Sequence, residues 1–475
     1  MDGGGLKKLM IVLQKLPLML RVTVMHLLGL SEQSRHLDLR SNLTVSVLRS
    51  FIEPPAGGRS LEATQRMTLK DPGVKGKMWV STYTAPAPPE TSVRDVVVKM
   101  ICDMASAGST EQQPAFTVPD IRPVEAEWTG HRAGAAKDEL PPAGMAPEKV
   151  YDEMMKECTQ PTTVMYLHGG AYYLLDPSTH RRVNMGLARR TGGRSYSVRY
   201  RLAPQKLFPA ALLDAFVSYL TLLYPPPEAY HDPVKPEHIV LAGDSAGGGL
   251  CFALLQLLLE LQRSSTPVIW YGESRSVPLP AALASNSPWL DITHSSPRWQ
   301  GEDPAPYDYL GKPAVWAKGK IIPSPIWPAN PPREYIYAED GLGLHPLVSP
   351  IMAPSWKGAP PVYICTGWEM IGYEDRCAAS RLDEDGVPVV YEEYEAMPHC
   401  FAMVLPGAAV SERCIDSWAG FIAKAVEEPG SIMSKGIVIK APSLDEVALE
   451  LEDLKEPKDD EIWRRASSKS TTSRL

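Results

Sequence analysis

The chain has 475 residues, of which 44% are hydrophobic and 22% charged, a composition typical of a globular domain larger than about 150 residues. The net charge is −8 and no basic stripe is present, so nucleic acid is excluded as an expected partner. The seven cysteines are scattered, with no CxxC pair. This pattern argues against a disulfide framework and a zinc site, and favours an intracellular, cytoplasmic location.

Residues 1–118 are predicted to form a mostly helical N-terminal region, with helices over 38–52 and 93–105. Residues 9–30 are rich in Leu, Met and Val, but Lys15, Pro17 and Arg21 interrupt them. A charge at the centre of a spanning helix costs roughly 2.5–3.5 kcal/mol, so a membrane-spanning helix is not expected. Two interpretations stay open: an amphipathic helix packed on its own protein, or one lying on a membrane surface.

From residue 119 to about 428, short apolar runs alternate with helical stretches. Such alternation predicts an α/β domain, with a mostly parallel twisted sheet covered by helices on both faces. The predicted strands are residues 124–129, 163–167, 195–199, 238–242, 282–285, 362–366 and 389–394. The predicted helices are residues 181–189, 209–223, 248–262, 378–385 and 411–426.

Two segments lack this alternation. Residues 297–350 are rich in Pro, Trp and Tyr, and a long irregular segment inside a compact domain is typical of a lid. Its aromatic residues are expected either to line a pocket or to pack the lid itself: Trp299, Tyr307, Tyr309, Trp316 and Trp327. Residues 429–475 are predicted to be a charged, disordered tail, with an amphipathic stretch at 444–454.

The sequence Gly-Asp-Ser-Ala-Gly at residues 243–247 matches G-x-S-x-G. It follows a predicted buried strand and precedes an apolar helix, so Ser245 is expected at a sharp turn with its hydroxyl exposed above the sheet. The start of the helix would place backbone N–H groups beside that hydroxyl. These features make Ser245 the candidate nucleophile.

A second motif, His-Gly-Gly-Ala at residues 168–171, follows the strand predicted at 163–167. Acyl transfer passes through a tetrahedral oxyanion that needs preorganised N–H donors. The N–H groups of Gly169 and Gly170, with that of Ala246, are therefore predicted to form the oxyanion hole.

Together these motifs resemble the hormone-sensitive-lipase-like branch of the α/β-hydrolases, in the manner of fungal members. The resemblance covers roughly residues 160–405, and its motifs occur in the family's order. They are His-Gly-Gly-Ala at 168–171, Tyr-Arg-Leu-Ala-Pro at 200–204, Gly-Asp-Ser-Ala-Gly-Gly at 243–248, Ser-Pro-Trp-Leu-Asp at 287–291 and His-Pro-Leu-Val-Ser-Pro at 345–350. The resemblance implies an α/β-hydrolase fold in which residues 1–118 form a cap over the active site.

The resemblance also implies the two partners of the serine. His399, followed by Cys400 and Phe401, matches the position of the family's general base. Glu369 matches the position of the triad acid, where the family usually has Asp, and Asp375 and then Glu374 are the alternatives. The third glycine of the family's oxyanion motif is Ala171 in this chain, and we expect this difference to have little effect.

The expected activity is that of a serine hydrolase that cleaves small-molecule carboxylic esters through an acyl-enzyme, without a metal or organic cofactor. Three alternatives stay open. They are a deacetylase or lactonase of secondary metabolism, a sterol or lipid ester deacetylase at a membrane surface reached through residues 9–30, and a non-catalytic ligand-binding member of the family. The sequence leaves the oligomeric state open.

Overall fold

The computed structural model describes residues 3–52, 58–106, 114–301, 305–310, 322–454 and 464, and gives no side-chain description for residues 3–12 and 300. The strands are β1 (Met78–Ala85), β2 (Val124–His131), β3 (Thr163–Leu167), β4 (Arg194–Val198), β5 (Ile239–Asp244), β6 (Val268–Trp270), β7 (Glu273–Arg275), β8 (Ala282–Asn286), β9 (Val362–Gly367), β10 (Val389–Tyr394), β11 (Lys435–Ile439) and β12 (Glu446–Ala448).

The helices are α1 (Gly3–Leu27), α2 (Leu39–Ile52), α3 (Leu61–Thr68), α4 (Ser92–Ser106), α5 (Pro147–Glu157), α6 (Pro177–Thr191), α7 (Ala210–Leu223), α8 (Ser245–Arg263), α9 (Pro297–Gln300), α10 (Gly372–Glu384), α11 (Phe401–Val404) and α12 (Ala409–Glu427). Short 3-10 helices include Glu32–Arg35, Pro236–His238, Asp340–Leu342, Pro350–Met352 and Leu451–Leu454.

Ten strands form one sheet in the order β1-β2-β4-β3-β5-β8-β9-β10-β11-β12. The strands from β4 to β11 in this order run parallel, and antiparallel pairs lie at both edges. The predicted α/β-hydrolase sheet is therefore confirmed.

Helices cover both faces of the sheet, which explains why its central strands are buried along their whole length. In β5, Ile239 and Leu241 belong to a core shared with α7 and α8. Val240 and Ala242 belong to a second core shared with α6 and α12. Each face of the strand is thus buried under a different helical layer.

The N-terminal region differs from the predicted helical arrangement. β1 pairs with β2 over its full length, so residues 78–85 belong to the central sheet. Its side chains alternate between buried Trp79, Ser81 and Tyr83 and more exposed neighbours, a period of two typical of a half-buried strand. α4 packs against β6 and α7. The helical N-terminal layer is therefore shorter than residues 1–118.

The predicted disordered tail is wrong for residues 435–454. β11 pairs in parallel with β10, and β12 pairs with β11. Ile437 and Ile439 are buried in the core beneath α12, while Leu451 and Leu454 pack into the opposite core. Apolar side chains on these short elements bury enough surface to order a charged segment. Residues 429–434, which connect α12 to β11, are described as well, whereas residues 455–463 and 465–475 of the predicted tail lie outside the described residues.

α1 packs along α2, as in the first of the two interpretations of residues 9–30. Its other face is exposed, with Leu13, Leu16, Leu20 and Leu27 each more than half accessible. Among the described helices, only α8 is long and apolar enough to span a bilayer, and it is mostly buried inside the protein.

Candidate active site

Ser245 lies at the sharp turn where β5 ends and α8 begins. Its backbone φ is 50°, a left-handed conformation that is unfavourable for a residue with a Cβ. A Cβ at Gly247 would overlap the carbonyl oxygen of Leu167, so glycine is needed for α8 to start this close to β3. Ser245 lines a cavity of about 760 Å³. The elbow predicted for the candidate nucleophile is present.

His399 and Glu369 form a buried pair on the loops that follow β10 and β9. His399 Nδ1 lies 3.2 Å from Glu369 Oε1, and Ser287 Oγ donates to Glu369 Oε2 at 2.9 Å. A carboxylate opposite Nδ1 favours the tautomer with a proton on Nδ1, which leaves Nε2 as the acceptor. His399 lines the same cavity as Ser245.

The alternative acids are placed differently. Glu374 Oε2 accepts the Leu290 N–H at 2.9 Å, and burial raises the pKa of this carboxyl well above its usual value. Burial and the nearby Glu369 carboxylate likewise raise the pKa of Asp375. Neither makes a hydrogen bond to His399 within the part of the chain that the structure describes. Glu369 is thus the carboxylate that contacts the imidazole.

Negative charge surrounds His399. Burial by itself opposes the imidazolium, but the carboxylates of Glu369, Asp308 and Asp244 outweigh it and raise the pKa of His399 above its ordinary value. The Cys400 thiol also lies beside the ring, with Sγ 3.4 Å from His399 Nε2. The imidazole is therefore tuned to accept a proton.

The loop after β3 requires a correction to the predicted oxyanion donors. The N–H of Gly169 donates to Asp244 Oδ1 at 3.0 Å and is already engaged. Gly170 and Ala171 line the cavity, and no acceptor for their N–H groups occurs among the described residues. Ala246, in the first turn of α8, is next to the serine. Of the predicted donors, the Gly169 N–H is thus occupied, whereas Gly170 lines the cavity and Ala246 adjoins Ser245; Ala171 also lines the cavity.

Asp244 explains why the loop adopts this conformation. Besides Gly169, its Oδ1 accepts the Tyr166 hydroxyl at 2.7 Å and lies 3.3 Å from His180 Nε2. Burial alone would favour the neutral acid, but these partners lower the pKa of Asp244. The residue before the candidate nucleophile is thus a buried anion that ties the glycine loop to the end of β5. Burial also lowers the pKa of the neighbouring His168 to about 3, so that this histidine is neutral.

The cavity walls are largely apolar. Trp289, Trp299 and Tyr309 contribute aromatic surface, while Leu174, Val183, Met403 and Ile415 add further apolar surface. Of the lid aromatics, Trp299 and Tyr309 line the cavity, whereas Tyr307 and Trp327 pack in the hydrophobic cores. Trp316 lies outside the described residues. The described residues contain no His, Cys, Asp or Glu cluster suited to a metal ion.

Comparison with known proteins agrees with the observed fold. Residues 164–403, about half of the chain, match the family described as alpha/beta hydrolase fold. The chain belongs to that family. It is 30% identical over 268 residues to an acetyl-hydrolase of Streptomyces hygroscopicus, covering 56% of this chain and 77% of that protein.

One further relative and one solved structure extend the comparison. The human arylacetamide deacetylase-like 3 is 23% identical over 282 residues, covering 53% of this chain and 69% of that protein. A crystal structure of an esterase from the bacterial hormone-sensitive lipase family has a TM-score of 0.52 at 22% identity, covering 82% of this chain and 99% of that one. At this identity the structural likeness concerns the fold.

Proposed function

We propose that this α/β-hydrolase is a carboxylic ester hydrolase in which Ser245 attacks the ester carbonyl. The observation that carries the proposal is the convergence on one cavity of a serine elbow, a His399–Glu369 pair and backbone N–H groups. These are the three components that acyl transfer requires: a nucleophile, an oriented base and oxyanion donors.

In the proposed mechanism, His399 Nε2 takes the Ser245 proton as Oγ bonds to the carbonyl carbon. Glu369 holds Nδ1–H and stabilises the imidazolium. The imidazolium then protonates the leaving alkoxide, and the C–O bond of the ester breaks to give an acyl-enzyme. His399 next activates water, which releases the acid and regenerates the serine.

Gly170, Ala171 and Ala246 are proposed to hold the oxyanion through their N–H groups. Loss of one such donor typically costs about 2.7–4 kcal/mol of transition-state stabilisation. Because Gly169 is bonded to Asp244, Ala171 takes the place that the sequence assigned to Gly169.

The proposed substrates are apolar esters. A cavity of about 760 Å³ lies within the usual size range for small-molecule sites. Its lining follows α6 from Thr179 to Arg190, a helix length of roughly 16 Å at about 1.5 Å per residue. The names of the relatives, acetyl-hydrolase and arylacetamide deacetylase-like 3, make acetyl esters the first class to test, and the size of the cavity suits a bulky alcohol part.

The test is hydrolysis of p-nitrophenyl esters from acetyl to decanoyl, with the wild type and Ser245→Ala. Turnover by the wild type that the substitution abolishes is the expected result, and the preferred chain length then measures the acyl site. Acetyl esters of naphthol and of a polycyclic alcohol separate preference for the acyl part from preference for the alcohol. A folded wild type that hydrolyses none of these esters, but binds one tightly, would instead indicate a ligand-binding protein.

We also propose that α1 rests on an anionic membrane surface. The exposed Leu13, Leu16, Leu20 and Leu27 recur at the spacing of one helix face. The segment 3–27 contains four Lys or Arg residues and no Asp or Glu, although the whole chain is acidic. Apolar residues with basic flanks suit an interfacial helix on anionic lipid. α2, on which α1 packs, ends at Ile52, which lines the cavity.

Liposome flotation tests this contact. The full chain is expected to float with phosphatidylserine-containing vesicles and less with phosphatidylcholine alone. Replacing Leu16, Leu20 and Leu27 by Ser should abolish flotation, whereas Leu140→Ser, which alters an exposed leucine elsewhere, should not. Equal flotation of all variants would contradict the proposal, and dimerisation lost with the triple substitution would indicate a second copy as the partner.

A further inference from the structure

The segment 305–310 passes behind the two loops that carry His399 and Glu369. Its Asp308 is completely buried. Asp308 Oδ1 accepts the backbone N–H of His399 at 3.0 Å, and Oδ2 accepts the N–H of Met370 at 2.8 Å. Since Met370 follows Glu369 directly, one carboxylate holds the main chain at both members of the acid–base pair.

The N-terminal helices hold this segment in turn. Arg49 of α2 donates through Nε to the Asp308 carbonyl oxygen at 2.9 Å and through a terminal nitrogen to that of Pro306 at 3.0 Å. Gln33 Nε2 also donates to the Pro306 carbonyl oxygen at 2.9 Å. The backbone that carries Asp308 is thus fixed by side chains that precede it by more than 250 residues.

We propose that Asp308 is a positioning residue that sets the distance between His399 and Glu369, and that Arg49 keeps it in place. This role rests on the proposed function, because it acts through the proposed triad. The two loops approach the site from different strands, β9 and β10, and Cys400 directly after His399 has a strained φ of 48°. A shared acceptor for both N–H groups stops the loops from separating.

The carboxylate has a second effect on the imidazole. Burial and the Glu369 carboxylate raise the pKa of Asp308, while His399 and the two backbone N–H donors oppose this. In its ionised form, the Asp308 carboxylate stabilises the imidazolium that forms as Ser245 is deprotonated. The groups that face His399 are Glu369, Asp308, Asp244, the Cys400 thiol and the Tyr309 ring. Of the three carboxylates, Glu369 contacts the His399 ring and Asp244 accepts the Gly169 N–H in the loop after β3. Asp308 accepts main-chain N–H groups at His399 and next to Glu369.

Two substitutions separate the positioning effect of Asp308 from the effect of its charge on His399. Asp308→Asn keeps the size but removes the charge, and its amide NH₂ would face one of the two N–H donors. Misplacement by about 1 Å can cost on the order of 100-fold in rate, so we expect kcat to fall about 10- to 100-fold with KM little changed. The acidic limb of kcat/KM should move to lower pH, because a neighbouring negative charge has been lost.

Arg49→Met is the companion variant, since it releases the segment without altering the charge next to His399. We expect a smaller loss of kcat and an unmoved acidic limb. Arg49 is only partly buried, so Arg49→Met is expected to fold and can test the proposal even if Asp308→Asn does not fold. An unchanged kcat in Arg49→Met would then overturn the proposal.

Titration with a fluorophosphonate separates the test of the positioning role of Asp308 from the test of the proposed esterase function. If the wild type hydrolyses esters and Ser245 is labelled stoichiometrically, the proposed function stands. Folded Asp308→Asn with wild-type kcat and an unshifted pH profile then overturns the positioning role alone. A wild type that takes no label and hydrolyses no ester overturns the function, and the positioning role with it.

Discussion

Replacing Glu369 by Gln gives a sharp test of the assigned acid. Glu369 is fully buried, with Oε1 3.2 Å from His399 Nδ1 and Oε2 held by Ser287. In the Gln variant, the NH₂ group can face Nδ1 and favour the tautomer protonated on Nε2, which cannot accept the serine proton. Loss of the corresponding carboxylate in serine proteases costs about 10⁴ in kcat, so we expect a loss of about 10³- to 10⁴-fold. At 1.36 kcal/mol per tenfold, this corresponds to about 4–5.4 kcal/mol.

The assay is kcat on a p-nitrophenyl ester, normalised to the active sites labelled by a fluorophosphonate. Glu369→Asp shortens the arm by one C–C bond, roughly 1.5 Å, so it should fall between the wild type and the Gln variant. Asp375→Asn is the matched control, because Asp375 is equally buried and also an acid, yet it does not contact His399. A Glu369→Gln enzyme that keeps more than about a tenth of its kcat, with Asp375→Asn strongly impaired, would refute the assignment.

Three further results are expected. The raised pKa of His399 means that the imidazole stays protonated above pH 6.5, so kcat/KM should rise with a midpoint above that value; a midpoint below pH 6.5 would contradict this. Gly247→Ala should prevent formation of the elbow, because its Cβ would overlap the Leu167 carbonyl oxygen, and soluble folded protein with normal kcat would be inconsistent with this packing. Arg181→Met removes the bidentate partner of buried Glu127, whose two carboxylate oxygens each lie 2.7 Å from an Arg181 nitrogen. We expect the free energy of unfolding, measured by urea titration, to fall by about 3–5 kcal/mol. A loss below about 1 kcal/mol would show that this ion pair contributes little to stability.

Where the sequence was informative, the signal was local. The parallel sheet was predictable because each buried strand and each amphipathic helix carries its own pattern within 5–20 residues. The elbow at Ser245 needs glycines at fixed offsets, so a five-residue motif describes its geometry. β1 was missed, although Trp79, Ser81 and Tyr83 alternate in burial, because the surrounding region was interpreted as helical.

The acid could be ranked but not decided from sequence, because three carboxylates, Glu369, Glu374 and Asp375, follow β9 within a few residues. Only the folded loop shows which one meets Nδ1. The same holds for the backbone N–H groups after β3, because the sequence does not show which of them is free. Whether Gly169 has a free N–H depends on Asp244, which is 75 residues away along the chain.

By itself, then, the sequence determined the fold class and the elbow at Ser245, since short-range patterns encode strands, helices and the turn between them, and the family resemblance pointed to His399. The tertiary structure decided the contact between Glu369 and His399, the hydrogen bond that occupies the Gly169 N–H, the pairing of β11 and the place of Asp308. Each of these depends on groups brought together from distant parts of the chain. Burial and hydrogen bonding then determine which donor is occupied and which carboxylate faces the imidazole.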